Sequence, residues 1–240
     1  MRHLTIGGLE LSAIDENEAD TKYIFDEVFG AEIYRHEKFN LSRESTILDV
    51  GANIGIFAIW AHRKYEPKAI QCYEASPRTY ACLADNVARL IDPGVTACRA
   101  VNRAVASASG RKLTLHQSTR VSGISTLLEP GAVPWIGAAS AKDQLETHEV
   151  TTTTVTDEIK GLASVDLLKV DVEGYFMEVL KGIADPDFAK INAIVLEVDY
   201  LPETGIRASD AESLLQAKGY RTDCLDRSQD NNLTFYAWRD

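Results

Sequence analysis

The segment Thr46-Ile47-Leu48-Asp49-Val50-Gly51-Ala52-Asn53-Ile54-Gly55 narrows the fold more than any other part of the chain. A short apolar run enters a turn bracketed by two glycines and leaves it into the helical pattern of Ile56–Arg63. A second run, Ala69–Tyr73, ends at Glu74, and Ser76-Pro77 then supplies an N-cap and a proline at the first helical position, opening a helix through about Leu90. Further strands are expected at Val95–Ala100, Lys112–Gln117, Glu149–Val155, Val165–Val170, Ile194–Val198 and Leu233–Trp238. Helices are expected at Tyr175–Lys181, closed by Gly182, and Asp210–Lys218, closed by Gly219. Alternation of this kind predicts an α/β fold: a doubly wound, Rossmann-like, mostly parallel sheet with helices on both faces.

A chain of 240 residues, 45% hydrophobic and 25% charged, suits one domain spanning 1–240 and excludes collagen, coiled coil and wholesale disorder. Residues 1–44 read as a cap: a hairpin of Leu4–Ile6 and Leu9–Leu11 around Gly7-Gly8, then a helical spacing of Tyr23, Ile24, Val28 and Phe29. The stretch 118–147 keeps no period and contains Gly123, Pro130, Gly131, Pro134, Trp135 and Gly137. Irregular segments longer than about 15 residues are usually functional or disordered, and this one reads as a substrate lid.

The net charge of −11 opposes nonspecific affinity for phosphate backbones and anionic lipid, so neither nucleic acid nor a membrane is an expected partner. Cys72, Cys82, Cys98 and Cys224 form no CxxC pair and read as reduced thiols, with no zinc site. The opening MRHLTIGGLELS has no apolar stretch of signal-peptide length, and no later run approaches the about 20 residues of a membrane span. A cytoplasmic location is expected.

Open α/β sheets bind ligands at the carboxyl ends of their strands. The residues there are Asp49, Glu74, Asn102, Asp171 and Glu197-Val198-Asp199. The turn reads G-x-N-x-G, with Asn53 where a dinucleotide site wants a second glycine, and Asp49 would repel a pyrophosphate. A ligand carrying positive charge, such as a sulfonium with an amino-acid tail, suits it better. Glu74 follows the turn at about the 20-residue spacing from which an acid accepts hydrogen bonds from ribose hydroxyls.

Three motifs together resemble the FkbM family of S-adenosylmethionine-dependent methyltransferases: Ile47–Gly55, Tyr73-Glu74-Ala75-Ser76-Pro77, and Asp166-Leu167-Leu168-Lys169-Val170-Asp171-Val172-Glu173-Gly174. Weaker echoes are Ile24–Phe29 with Tyr34, Asn102 with Ala104 and Gly110, Gly123–Leu127, and Tyr236–Arg239, so the similarity runs from about Phe25 to Trp238. The resemblance implies a class I methyltransferase fold with a seven-stranded sheet and a reversed C-terminal hairpin. It implies S-adenosylmethionine as cofactor, with its methionine moiety at Gly51, Ala52, Asn53 and Gly55, its ribose at Glu74 and its amino-acid end near Tyr34; Asp49, Ala75 and Asn102 are expected as further cofactor contacts. Where the family often has Glu-Val-His, this chain has Glu197-Val198-Asp199.

The expected reaction is methyl transfer to a hydroxyl of a small-molecule or carrier-bound acceptor, with a homodimer allowed. A hydroxyl must lose its proton, and candidate bases are Asp171, Glu173, Glu197, Asp199 and His36. Glu173-Gly174 also reads as the opening of a helix, which makes Glu173 a first-turn acid facing the macrodipole. Glu197 and Asp199 would suit Mg²⁺ or Ca²⁺, although no spacing demands a metal. N-methylation of an amine or guanidine is the nearest rival; a nucleotide-dependent dehydrogenase and a noncatalytic binding module are more distant ones.

Overall fold

The computed structural model describes residues 1–133, 145–199, 205, 207–227 and 232–239. It begins with the hairpin, in which β1 (Arg2–Ile6) pairs antiparallel with β2 (Leu9–Ala13) across Gly7-Gly8. Helix α1 (Glu18–Phe25) is N-capped by Asn17, whose side chain accepts from the Ala19 amide. The chain then leaves the α-helical path for a π-helical turn, Asp26–Gly30, so Tyr34 lies in the loop beyond and not on one continuous helix.

The β-α-β core follows the sequence closely. Strand β3 (Thr46–Val50) leads through the glycine turn to α2 (Ile56–Tyr65), then β4 (Ala69–Glu74), α3 (Pro77–Leu90) and β5 (Ala97–Asn102). In α3 the buried residues Thr79, Cys82, Leu83, Asn86 and Val87 fall at three- and four-residue spacing, and the Ser76 hydroxyl accepts from the Thr79 amide. β5 starts at Ala97, not Val95, because the Asp92 carbonyl takes the amides of Val95 and Thr96 in a turn.

A smaller four-stranded sheet joins β6 (Ala104–Val105), β9 (Leu145–Thr153), β7 (Lys112–Ser118) and β8 (Ser125–Thr126) in that order. The stretch 118–147 therefore holds strand residues at both ends; its segment 134–144, with Pro134, Trp135 and Gly137, lies outside the described residues. β9 ends two residues before the expected Val155, since the Thr154 hydroxyl caps the amide of Asp157 and starts α4 (Val155–Glu158).

After β10 (Leu167–Val170) come α5 (Phe176–Lys181), β11 (Ala193–Asp199), α6 (Ala208–Ala217), β12 (Arg221–Arg227) and β13 (Asn232–Trp238). The large sheet runs β12-β13-β11-β10-β3-β4-β5, seven strands with β13 alone reversed. Among the described residues no helix is long and apolar enough to cross a membrane.

The central strands are apolar on both faces, as a covered parallel sheet requires. Ile47, Leu167, Ala193 and Val195 face a core shared with the hairpin, α2 and α3. Leu48, Val50, Leu168, Val170, Ile194 and Leu196 face the opposite core under Phe176, Val179 and Leu215. One buried amide ties the hairpin to this frame: Asn86 accepts from the Ser12 amide at 2.7 Å and donates to the carbonyls of Ser12 at 2.9 Å and Ile54 at 2.8 Å. Asn86→Ala leaves three backbone groups unpaired, and urea denaturation is expected to show a loss of about 2–4 kcal/mol.

Candidate active site

Strand register builds the site. Lys169 on β10 lies opposite Asp49 on β3 and Val195 on β11, all directed to the face of the hairpin core. Two residues further along each strand come Gly51, Asp171 and Glu197, a second row at the carboxyl edge.

Gly51 has a left-handed backbone (φ 73°), and a Cβ there would collide with the carbonyl oxygen of Asp171. The amides of Gly51 and Ala52 both donate to the Tyr73 carbonyl, at 2.9 and 3.0 Å. Asn53 (φ 49°) is also left-handed, an uncommon state for a residue with a side chain and one that clusters at functional sites. Its amide oxygen is buried with no hydrogen-bond partner.

Glu74 closes the other side of the turn. Its carboxylate is buried and accepts from the backbone amides of Asn53 at 2.9 Å and Ser76 at 2.8 Å. Burial raises its pKa to about 7, against the pull of the two amides. Each oxygen keeps a lone pair for a further donor.

At the acidic end the Tyr34 hydroxyl sits 3.0 Å from Asp171 Oδ2 and 3.1 Å from Glu197 Oε2. Burial, followed by the charges of Asp171 and Glu197, pushes this phenol well above its ordinary range, so it stays a neutral O–H donor. Glu173 is left-handed (φ 47°) and precedes a helix that starts only at Phe176; it is a turn residue and not a first-turn helix acid. Its carbonyl accepts from the Thr126 hydroxyl at 2.8 Å, which seats β8 over the site.

These groups enclose a cavity of about 330 Å³. Of the expected cofactor contacts, Gly51, Ala52, Asn53, Glu74, Ala75 and Tyr34 line it; of the expected bases, Asp171, Glu173 and Glu197 do. Gly55 caps α2 behind the wall, and Asp49 is wholly buried beneath the turn. Asn102 also stands outside: its amide donates to the carbonyls of Glu74 at 2.8 Å and Ala75 at 3.0 Å, so it fixes the end of β4. Asp199 is buried one row beyond Glu197, outside the lining. His36 is not brought to the cavity either. It stacks on Tyr236 and Trp238 with ring centroids 4.8 and 4.9 Å away, and its Nε2 lies 3.3 Å from Asp223.

Sequence reasoning gave Lys169 no role, yet it lines the cavity and contacts Asp49, Asp171 and Gly51 together. A charged residue inside the apolar run Leu167–Val170 was the available signal. The orphaned Asn53 oxygen and the spare lone pairs of Glu74 fit a ligand rich in hydroxyl or ammonium donors. Among the described residues no three His, Cys, Asp or Glu side chains are arranged to hold a metal ion.

Residues 49–222 match the family model described as the methyltransferase FkbM domain. Methyltransferase sdnD of Sordaria araneosa is 30% identical over 88% of this chain and 86% of its own length. The 31-O-demethyl-FK506 methyltransferase FkbM of Streptomyces tacrolimicus is 28% identical over 76% of each. The solved methyltransferase FkbM of Methylobacillus flagellatus superposes with a TM-score of 0.56 over 85% of this chain and 46% of that one, at 13% identity.

A Glu74 midpoint of about 7 carries two signs. The ligand-free fold holds this proton more tightly than the unfolded chain does, so the group's contribution to stability is present at low pH and falls as pH rises from about 4.5 to 7. A ligand that donates to the carboxylate favours the ionised form. Calorimetric affinity for S-adenosylhomocysteine is therefore expected to rise up to about tenfold from pH 6 to pH 8, and to lose that slope in Glu74→Gln.

Proposed function

The chain belongs to the FkbM methyltransferase family, whose methyl donor is S-adenosylmethionine, and from that premise we propose that it methylates a hydroxyl of a small-molecule or carrier-bound acceptor. The cofactor, when bound, supplies an electrophilic methyl group on a sulfonium. The turn from Gly51 to Asn53 and the Glu74 carboxylate are the residues that would hold it, a reading supported by their place in the cavity wall, the unpaired amide oxygen of Asn53 and the spare lone pairs of Glu74.

The observation that carries the hydroxyl reading is the Asp171 carboxylate at the cavity wall, joined to Glu197 through the neutral Tyr34 hydroxyl. An alcohol must release its proton as the new C–O bond forms, and a carboxylate within hydrogen-bond reach takes it. Tyr34 and Glu197 orient Asp171 in this account. The O-methyltransferase reading also draws on the name of the Streptomyces tacrolimicus relative, which gives that enzyme a 31-O-demethyl substrate. The lid reading of 118–147 belongs to the same proposal, supported by Val121–Leu127 in the wall.

A second reading, N-methylation, is favoured by the charge of the wall. Asp20, Glu27, Asp171, Glu173 and Glu197 line it against Arg103 and Lys169, which favours a cationic acceptor. A panel of alcohols, amines and guanidines, incubated with S-adenosylmethionine and scored by mass spectrometry for methylated product, separates the two. Methylated alcohols are the expected result; methylation of amines alone selects the second reading. With the acceptor so found, Asp171→Asn is expected to lower kcat at least about 10²-fold while S-adenosylhomocysteine affinity stays within about threefold. Undiminished turnover would remove Asp171 from the role of base.

A further inference from the structure

A lysine in the middle of a buried parallel strand needs a physical reason. Leu167, Leu168 and Val170 around it are wholly buried aliphatics, and another aliphatic would fill the position with no charge to desolvate. Lys169 is only 3% exposed. Its three N–H donors face three acceptors: the Gly51 carbonyl at 2.7 Å, Asp49 Oδ1 at 3.2 Å and Asp171 Oδ2 at 3.4 Å. The rings of Tyr34 and Phe57, with centroids 5.3 and 5.9 Å from the ammonium, cover the remaining sides.

Register produces this arrangement. Lys169 lies directly across from Asp49, and Asp171 follows two residues later on the same face, so one ammonium spans two strands and two rows. Glu197 from β11, Glu27 and Tyr34 from the N-terminal segment, and Glu173 from the turn after β10 stand around the same site. Lys169 is the buried cation in that acidic setting.

We propose that Lys169 is a positioning residue: its ammonium locks the first carbonyl of the glycine turn and shares one positive charge between Asp49 beneath the turn and Asp171 at the cavity wall, so that the cofactor half and the acceptor half of the site are set together. The assignment of those halves rests on the methyltransferase reading above. Electrostatics agree with the geometry. Burial opposes the lysine's charge, yet the Asp49 and Asp171 carboxylates more than offset this and hold it cationic well above the ordinary lysine range. Burial likewise pushes Asp49 up, and Lys169 is the group that opposes the rise.

The test compares wild type, Lys169→Met and Lys169→Arg by two readouts: calorimetric affinity for S-adenosylhomocysteine, and the ¹³Cγ titration of Asp49, its signal identified by loss in Asp49→Asn. In Lys169→Met the Asp49 midpoint is expected to move up by about one pH unit or more and the affinity to fall about tenfold or more. In Lys169→Arg, which keeps the charge, the midpoint is expected to stay within about half a unit of wild type and part of the affinity to return. An unmoved Asp49 midpoint in Lys169→Met, or equal affinity losses in the two variants, would mean that Lys169 only fills space and would overturn the proposal. If Lys169→Met does not fold, the wild-type ¹⁵Nζ signal decides: an ammonium signal persisting at about pH 11, above the ordinary lysine midpoint of about 10.4, is expected, and an amine shift there refutes the shared charge. Failure of wild type to bind S-adenosylhomocysteine would count against the cofactor reading, while the Asp49 titration still tests Lys169.

Discussion

The passage of Gly51 across the Asp171 carbonyl leaves no room for a side chain, and the carboxyl end of the sheet is arranged around that contact. With β3 and β10 held this close, the turn after β3 must double back at once; it does so through the Tyr73 carbonyl, which takes two successive amides. The left-handed residues then place the Asn53 amide against Glu74 and start α2 behind the cavity. The same proximity brings the end of β10 within one ammonium's reach of β3. Turn geometry and charge distribution therefore have a common origin in strand register.

Such a site is costly to keep. Glu74 is buried with its charge opposed by desolvation, Asp49 is wholly buried against the Lys169 ammonium, and Asn53 and Glu173 hold left-handed backbones. None of these is what a sheet would choose for stability alone, and buried ion pairs are often neutral or worse beside aliphatic replacements. The surroundings supply the compensation: apolar cores on both faces of the strands, and the backbone amides of Asn53 and Ser76, which donate to the Glu74 carboxylate. Among the described residues, two of the four left-handed ones that are not glycine, Asn53 and Glu173, lie at this edge; the others, Glu32 and Glu66, lie in loops away from the cavity.

Features that depend on a few neighbouring residues were legible in the sequence. The apolar run into Gly51, the Ser76-Pro77 helix start and the strand-end rule that groups Asp171 with Glu197 all belong here, because propensity and capping act locally. Features set by tertiary pairing were not. The role of Lys169 depends on register, which puts Asp49 opposite it on the neighbouring strand. Arg221–Arg227 carries charges at several positions and pairs on one side only, so an edge strand hid behind a polar sequence. Asn102 obeyed the strand-end rule in position but turns its amide to the neighbouring strand's carbonyls. His36 stood among the expected bases, whereas stacking against Tyr236 and Trp238, from the far end of the chain, decides where its ring goes. Thr154 shows the converse, a local cap overriding the β-branched run that precedes it.

The two sides of the cavity are consequently constrained in different ways. Groups on the turn side are fixed by the sheet and change only if register changes. The opposite wall comes from α1 and the segment Val121–Leu127, neither of which belongs to the large sheet. One buried carboxylate joins them: Asp15 accepts from the Thr21 hydroxyl of α1 and from both the amide and the hydroxyl of Ser122, while the Glu16 amide donates to the Arg120 carbonyl. This wall is packed as well as lining: Val28 belongs to the hairpin-side core with Ile24 against it, and Ile124 packs on the buried Val133.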